Sequence, residues 1–146
     1  GGPLVASRRL VGLVAALALL VPLAACSDSS VMHMRVGQCI LMPEDKTTTT
    51  VETTGCTREH DAEVFYLTSA DDGDFPGEEE LNKQAGAQCL EHFKEYIGSS
   101  YLTSTLDMTW MIPTKDSWAH NDRAIVCLAR PMDRSTLTSS VKDSGL

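Results

Sequence analysis

Residues 78–97 read EEELNKQAGAQCLEHFKEYI. Leu81, Ala85, Cys89, Phe93 and Ile97 recur every four residues, with Leu90 and Tyr96 beside them. Side chains spaced three and four apart share one face of a 3.6-residue helix, so this stretch is an amphipathic helix with one apolar stripe. Glu78, Glu79 and Glu80 fill the first turn, where the helix dipole favours negative charge. Gly98 follows as a stop. Gly86 weakens the middle by up to about 1 kcal/mol relative to alanine, which fits a position where another element comes close. Cys89 lies on the stripe, so a disulfide from it would pin the helix to what it covers.

Short apolar and β-branched runs flank the helix. Upstream, residues 36–42 (VGQCILM), 47–54 (Thr-rich) and 62–67 (AEVFYL) read as strands, with a turn at 43–46. In the third run Val64 and Tyr66 take one face and Phe65 and Leu67 the other, which marks an interior strand. Residues 71–77 (DDGDFPG) are a loop. Downstream, Leu106, Met108, Trp110 and Ile112 alternate with polar residues and Met111 up to Pro113, a half-buried strand. Residues 124–129 (AIVCLA) are apolar on both faces and read as a central strand. After Pro131 the chain turns polar, and residues 132–146 are expected to be a disordered tail. Strands, helix, strands predict an α+β fold: an antiparallel sheet of about five strands with one long helix packed on one face.

The N-terminus predicts an address. Arg8 and Arg9 precede an apolar run, residues 10–25 (LVGLVAALALLVPLAA), and Cys26 follows at once. A basic start, a short apolar core and a small-residue exit describe a secretory signal. The run is shorter than the roughly 20 apolar residues that span a bilayer. The exit Leu23-Ala24-Ala25-Cys26 resembles a lipobox, which implies diacylglycerol on the Cys26 thiol and cleavage before it. The rival reading is a plain secretion signal or an uncleaved anchor with an incidental cysteine. The expected division is a signal peptide at 1–25, a lipidated N-terminus and polar tether at 26–34, a globular domain at 35–131 and the tail.

Composition limits the partners. The formal net charge is −8, with 12 Lys plus Arg against 20 Asp plus Glu. Arg8 and Arg9 precede Cys26 while every acidic residue follows it, which leaves the body beyond residue 26 still more acidic. Such a body is unsuited to nucleic acid, whose binding rests on Lys and Arg neutralising phosphates. Charge will not hold it to anionic lipid either, so membrane attachment falls to the lipid anchor. Aromatic residues are 5% of the chain, so the core is small and needs staples. With Cys26 taken by lipid, Cys39, Cys56, Cys89 and Cys127 remain, an even number that predicts two disulfides in an oxidising compartment. Three pairings are open; Cys39–Cys56 with Cys89–Cys127 is favoured. A turn centred on Glu44-Asp45 would set Cys39 opposite about Thr50, so the first bridge needs a longer loop or an offset. The close cysteine pairs of structural zinc sites are absent, and no metal or other cofactor is expected.

The polar residues that stand out are His60, Asp61 and Glu63 at the head of one strand, and Trp118, Asp122 and Arg123 leading into the last. His60 with Glu63 would suit a metal, but strand alternation puts them on opposite faces. An Arg fork pairs well with a carboxylate. Arg123 is therefore expected to bond Glu63 or Asp61 across adjacent strands with Trp118 packed on top, either as a structural clasp or as part of a binding site. No Gly-x-Ser-x-Gly elbow, His-Glu-x-x-His or phosphate loop occurs, and no catalytic residue is assigned.

Val36-Gly37-Gln38-Cys39, Gly55-Cys56, His60-Asp61-Ala62-Glu63-Val64, the helical Cys89, Trp118, and Asp122-Arg123 before Cys127 occur in an order that resembles the septum formation domain family of actinobacteria. Two positions depart from the family pattern: Glu59 stands where Pro often precedes the His, and Asn121 where Gly often precedes Asp-Arg. The resemblance implies a non-enzymatic envelope module with two disulfides, secreted, lipid-anchored or fused to membrane segments. The resulting expectation is an interaction module at the outer face of the cell membrane that binds an envelope protein or wall component. The alternatives are a small-ligand carrier or sensor with a cleft near His60, Glu63 and Trp118, and, third, a wall hydrolase.

Overall fold

The computed structural model describes residues 27–30, 33–44 and 50–146. Six strands form one antiparallel sheet: β1 (Ser27–Ser30), β2 (Cys39–Leu41), β3 (Thr50–Thr54), β4 (Ala62–Ser69), β5 (Leu106–Met111) and β6 (Ala124–Pro131). Their order across the sheet is β1-β3-β2-β4-β6-β5. The long helix α1 (Glu78–Ile97) spans the stretch the periodicity predicts and buries Leu81, Ala85, Cys89, Phe93 and Ile97 against β4, β5 and β6. The α+β class, the covering helix and both favoured disulfides are present. Ser27–Ser30 is not the expected tether: its backbone pairs with Thr50–Thr53 as a sixth, edge strand.

Apolar side chains leave the sheet on both sides. Phe65, Tyr66, Leu106, Met108, Cys127 and Ala129 face α1. Ile40, Ala62, Val64, Leu67, Val126, Leu128 and Met111 face away from it. Both β4 and β6 are therefore interior strands, as their two-faced apolar runs predict. The faces of β4 differ from simple alternation. Val64 pairs with Leu128, yet Tyr66 pairs with Cys127, so Phe65 is an extra residue in a bulge. A bulge puts two successive side chains on one side. Phe65 and Tyr66 accordingly share the helix side, while Val64 and Leu67 share the other.

The pairing of β2 with β3 is also offset from the expected hairpin. Cys39 lies opposite Thr54, not Thr50, because β2 ends at Leu41 and β3 begins only at Thr50. That longer connection brings Cys56 to Cys39, with their Cα atoms 5.3 Å apart. Cys89 reaches Cys127 from α1 at 5.4 Å, tying the helix to the central strand β6.

A short helix, α2 (Lys115–Ala119), precedes β6 and is absent from the sequence reading. Thr114 and Ser117 cap it reciprocally through side chain and backbone. Asn121 takes a left-handed φ of 70°. Asparagine reaches that region more readily than most residues, so Asn121 suits the turn that leads into Asp122 and β6.

The expected disordered tail is corrected. Leu137 forms a β-bridge with His60, and Val141 is fully buried. Asp143 N–H donates to the Tyr96 carbonyl and Gly145 N–H to that of Ile97, so the tail satisfies carbonyls that the end of α1 leaves free. Polar composition hid this because the bonds are to backbone and to one buried carboxylate.

Candidate functional site

The six polar residues singled out in the sequence fall into two separate clusters. Glu63 pairs with Ala129 on β6, whereas Ser69, six residues further along β4, pairs with Ala124 next to Arg123. At roughly 3.3 Å per residue the two sites lie on the order of 20 Å apart. The expected clasp between Arg123 and Glu63 or Asp61 does not form, since no side chain spans that distance.

The first cluster centres on Glu63, which is fully buried on the helix side of β4. Its Oε2 accepts from the Tyr96 hydroxyl at 2.9 Å and from Ser140 Oγ at 3.2 Å. Its Oε1 accepts from the Val141 N–H at 3.3 Å. The same oxygen lies 3.2 Å from Cys39 Sγ and 3.7 Å from Cys56 Sγ. Disulfide sulfurs carry no proton, so these are packing contacts. The two ion pairs among the described residues are Arg123–Asp72 and Arg134–Asp107, and Glu63 belongs to neither. Among the described residues, neutral donors alone hold the carboxyl group. Burial, then the hydrogen bond and charge of Glu63, push the Tyr96 phenol well above its ordinary value.

His60 and Asp61 frame this centre without joining it. His60 is fully buried, with Nδ1 2.7 Å from the Arg58 carbonyl. A carbonyl only accepts, so Nδ1 carries a proton, and Nε2 has no hydrogen-bond partner among the described residues. Asp61 Oδ2 accepts from the Met42 N–H at 2.8 Å and fixes the end of β2. The one His/Cys/Asp/Glu group among the described residues close enough to hold an ion is Cys39, Cys56 and Glu63. Two of its three ligand atoms are spent on the disulfide, which removes them as metal ligands.

The second cluster is the corner before β6. The Arg123 guanidinium stacks 3.7 Å above the Trp118 ring. Its NH1 donates to the Trp118 carbonyl at 2.8 Å and to that of Asp122 at 3.1 Å. Nε faces the exposed Asp72 carboxylate at 3.4 Å, a charge contact outside hydrogen-bond geometry. Trp118 Nε1 donates to the Gly73 carbonyl, and Phe75 meets the indole edge-on. Asp122 accepts from the Ala124 N–H and starts the strand. Trp118 packing on Arg123 matches expectation; its carboxylate partner is Asp72, which no sequence signal marked. Tyr96 stood beside the helix stripe in the sequence, but Ser140 and Val141 carried no signal.

An open cleft of about 380 Å³ lies between α1 and the end of β4, lined by Thr68, Asp71, Glu80, Lys83, Gln84 and Gln88. None of His60, Glu63 and Trp118 lines it. Cys26 lies outside the described residues.

Fold and clusters together define a small α+β domain stapled by two disulfides, with a carboxylate sealed under its helix and tail. The chain matches the septum formation family over residues 16–127 and belongs to that family. None of the curated proteins or solved structures compared with it matches.

Proposed function

We propose that the chain is an exported lipoprotein, anchored through Cys26 at the outer face of the cell membrane, that acts there as a non-enzymatic interaction module with a role in septum formation or cell division. The observation that carries this reading is the pairing of all four cysteines downstream of residue 26. Paired structural disulfides persist outside the reducing cytosol, and the chain starts with a basic, then apolar segment ending in Leu-Ala-Ala-Cys. Family membership supports the link to division.

The polar clusters support binding over catalysis. Glu63 is occupied by three donors and closed from solvent, and Arg123 is committed to Trp118 and its carbonyl. Neither leaves a group free to attack or transfer a proton to a substrate. The partner is an envelope protein or a wall component. Mass spectrometry of the chain purified from membranes tests the anchor: diacylglycerol on an N-terminal Cys26 is expected, and a full leader with a free thiol would defeat it. Crosslinking in intact dividing cells followed by affinity capture tests the module; recovery of bulk membrane proteins alone would defeat that part.

A further inference from the structure

One strand edge stays open beside the cleft. Strand β4 runs for eight residues, whereas β2, its neighbour on one side, has three. Their register ends at Cys39 opposite Glu63, and just beyond it the Gly37 N–H donates to the Val64 carbonyl and the Val64 N–H to that of Gln38. There the upstream chain leaves the sheet through a turn, in which the Gln38 N–H donates to the Arg35 carbonyl. On its other side β4 stays paired with β6 as far as Ser69, and the Ala70 N–H donates to the Arg123 carbonyl. In an antiparallel strand successive residues turn their N–H and C=O to opposite sides, so those of Leu67 and Ser69 point to the open edge. No backbone partner meets them among the described residues, and Ser69 is exposed.

The cleft of about 380 Å³ runs along this edge, with Thr68 and Ser69 in its lining. Asn82 and Gly86 meet Trp110 of β5 on one flank of α1, which leaves Glu80, Gln84 and Gln88 on the flank toward the β4 edge. Thr68 lies opposite Ile125 on the helix side of the sheet, and the two form the floor. Asp71 and Glu80 line the cleft as exposed acidic residues outside both ion pairs, against one lysine, Lys83. Unpaired N–H and C=O groups along a strand edge are a template for another strand. An extended peptide satisfies those of Leu67 and Ser69 and turns alternate side chains toward the cleft. Carboxyl groups, amides and a hydroxyl offer little to an apolar side chain. They suit Lys or Arg, on a segment drawn to a chain of net charge −8.

We propose that the open edge of β4 and the cleft beside it form a peptide-binding site, which takes an extended segment of a partner protein as an added strand with a lysine or arginine side chain in the cleft. This rests on the interaction-module reading and names its surface and the class of its partner.

The test adds a capped peptide of alternating lysine and valine to the isotope-labelled chain and follows its amide signals by NMR. The Leu67 and Ser69 amides are expected to shift and their hydrogen exchange to slow. The same peptide with methylated backbone nitrogens cannot pair as a strand and should bind at least about tenfold more weakly, as should one with glutamate for lysine. Asp71→Lys should weaken the lysine peptide by about tenfold. Ser69→Pro removes an N–H that faces out of the ladder, where proline is tolerated, and should abolish the shift at Leu67. Unmoved Leu67 and Ser69 amides at millimolar peptide would overturn the proposal. So would equal binding of the methylated peptide, or a dimer of the chain paired through this edge. Partner capture from intact cells by Ser69→Pro as strongly as by the parent chain would overturn this site and leave the module reading standing. A parent chain that captures no specific partner defeats the module, while the peptide shifts report on the edge alone.

Discussion

Glu63 is a fully buried carboxyl group held by a phenol, a hydroxyl and a backbone N–H, with no cation beside it among the described residues. Exchanging one of its oxygens for an amide NH2 sets a donor against donors. Glu63→Gln is expected to cost about 1–3 kcal/mol, read from denaturant unfolding, with faster hydrogen exchange at the Val141 amide. Equal stability would mean that packing alone holds the tail. Tyr96 gives this centre a pH signature. Its folded pKa is raised above the ordinary 10.0 by burial and by Glu63. The stability it contributes is therefore fully present below pH 10 and is lost as the pH rises through the folded value. Tyr96→Phe should remove that alkaline component of the melting curve. At the other corner, Arg123→Ala loses the stack on Trp118 and a bond to its carbonyl, for an expected loss of about 1–2 kcal/mol in thermal or denaturant unfolding. Asp72→Ala should change little, because Asp72 is 96% exposed and its charge is screened by solvent.

At the scale of elements, Gly86 is the contact point of α1 with β5. A Cβ there would meet the Trp110 ring at 3.3 Å, and the indole is pinned by its Nε1 bond to Asn82. Gly86→Val should therefore destabilise by about 1–3 kcal/mol through overpacking, and a rise in melting temperature would show that the ring moves freely. The glycine was legible in the sequence as a close approach; the approaching ring was not, since nothing local ties residue 86 to residue 110. The bulge at Phe65 is a similar case. Period-two reading assigns faces correctly up to Phe65 and inverts them from Tyr66 on, because one inserted residue reverses the alternation. The tail shows the opposite failure. Its composition is that of a solvated end, yet Leu137, Val141, Asp143 and Gly145 each meet a specific partner.

For the molecule as a whole, two disulfides close loops of sequence separation 17 and 38 around a small core. The chain-entropy model gives about 3 and about 4 kcal/mol respectively. Replacing Cys89 and Cys127 together by alanine should thus cost more than replacing Cys39 and Cys56, and the first pair also frees α1 from β6. Denaturant unfolding of the two double variants decides the order. The Cys39–Cys56 pair has an added local effect, because its sulfurs pack on Glu63.

What the sequence determined by itself was everything written in local periodicity and residue chemistry: the helix at 78–97, two interior strands, the count of cysteines to be paired and the family order of His60, Glu63, Trp118 and Arg123. Those signals are carried within a few residues, where hydrophobic spacing and side-chain type act directly. The tertiary structure alone decided which polar residues meet. Strand register set Glu63 and Arg123 far apart on the same sheet, so each found a partner distant in sequence, Ser140 for one and Asp72 for the other. Such pairings depend on how strands align and where loops return, and no local pattern encodes that.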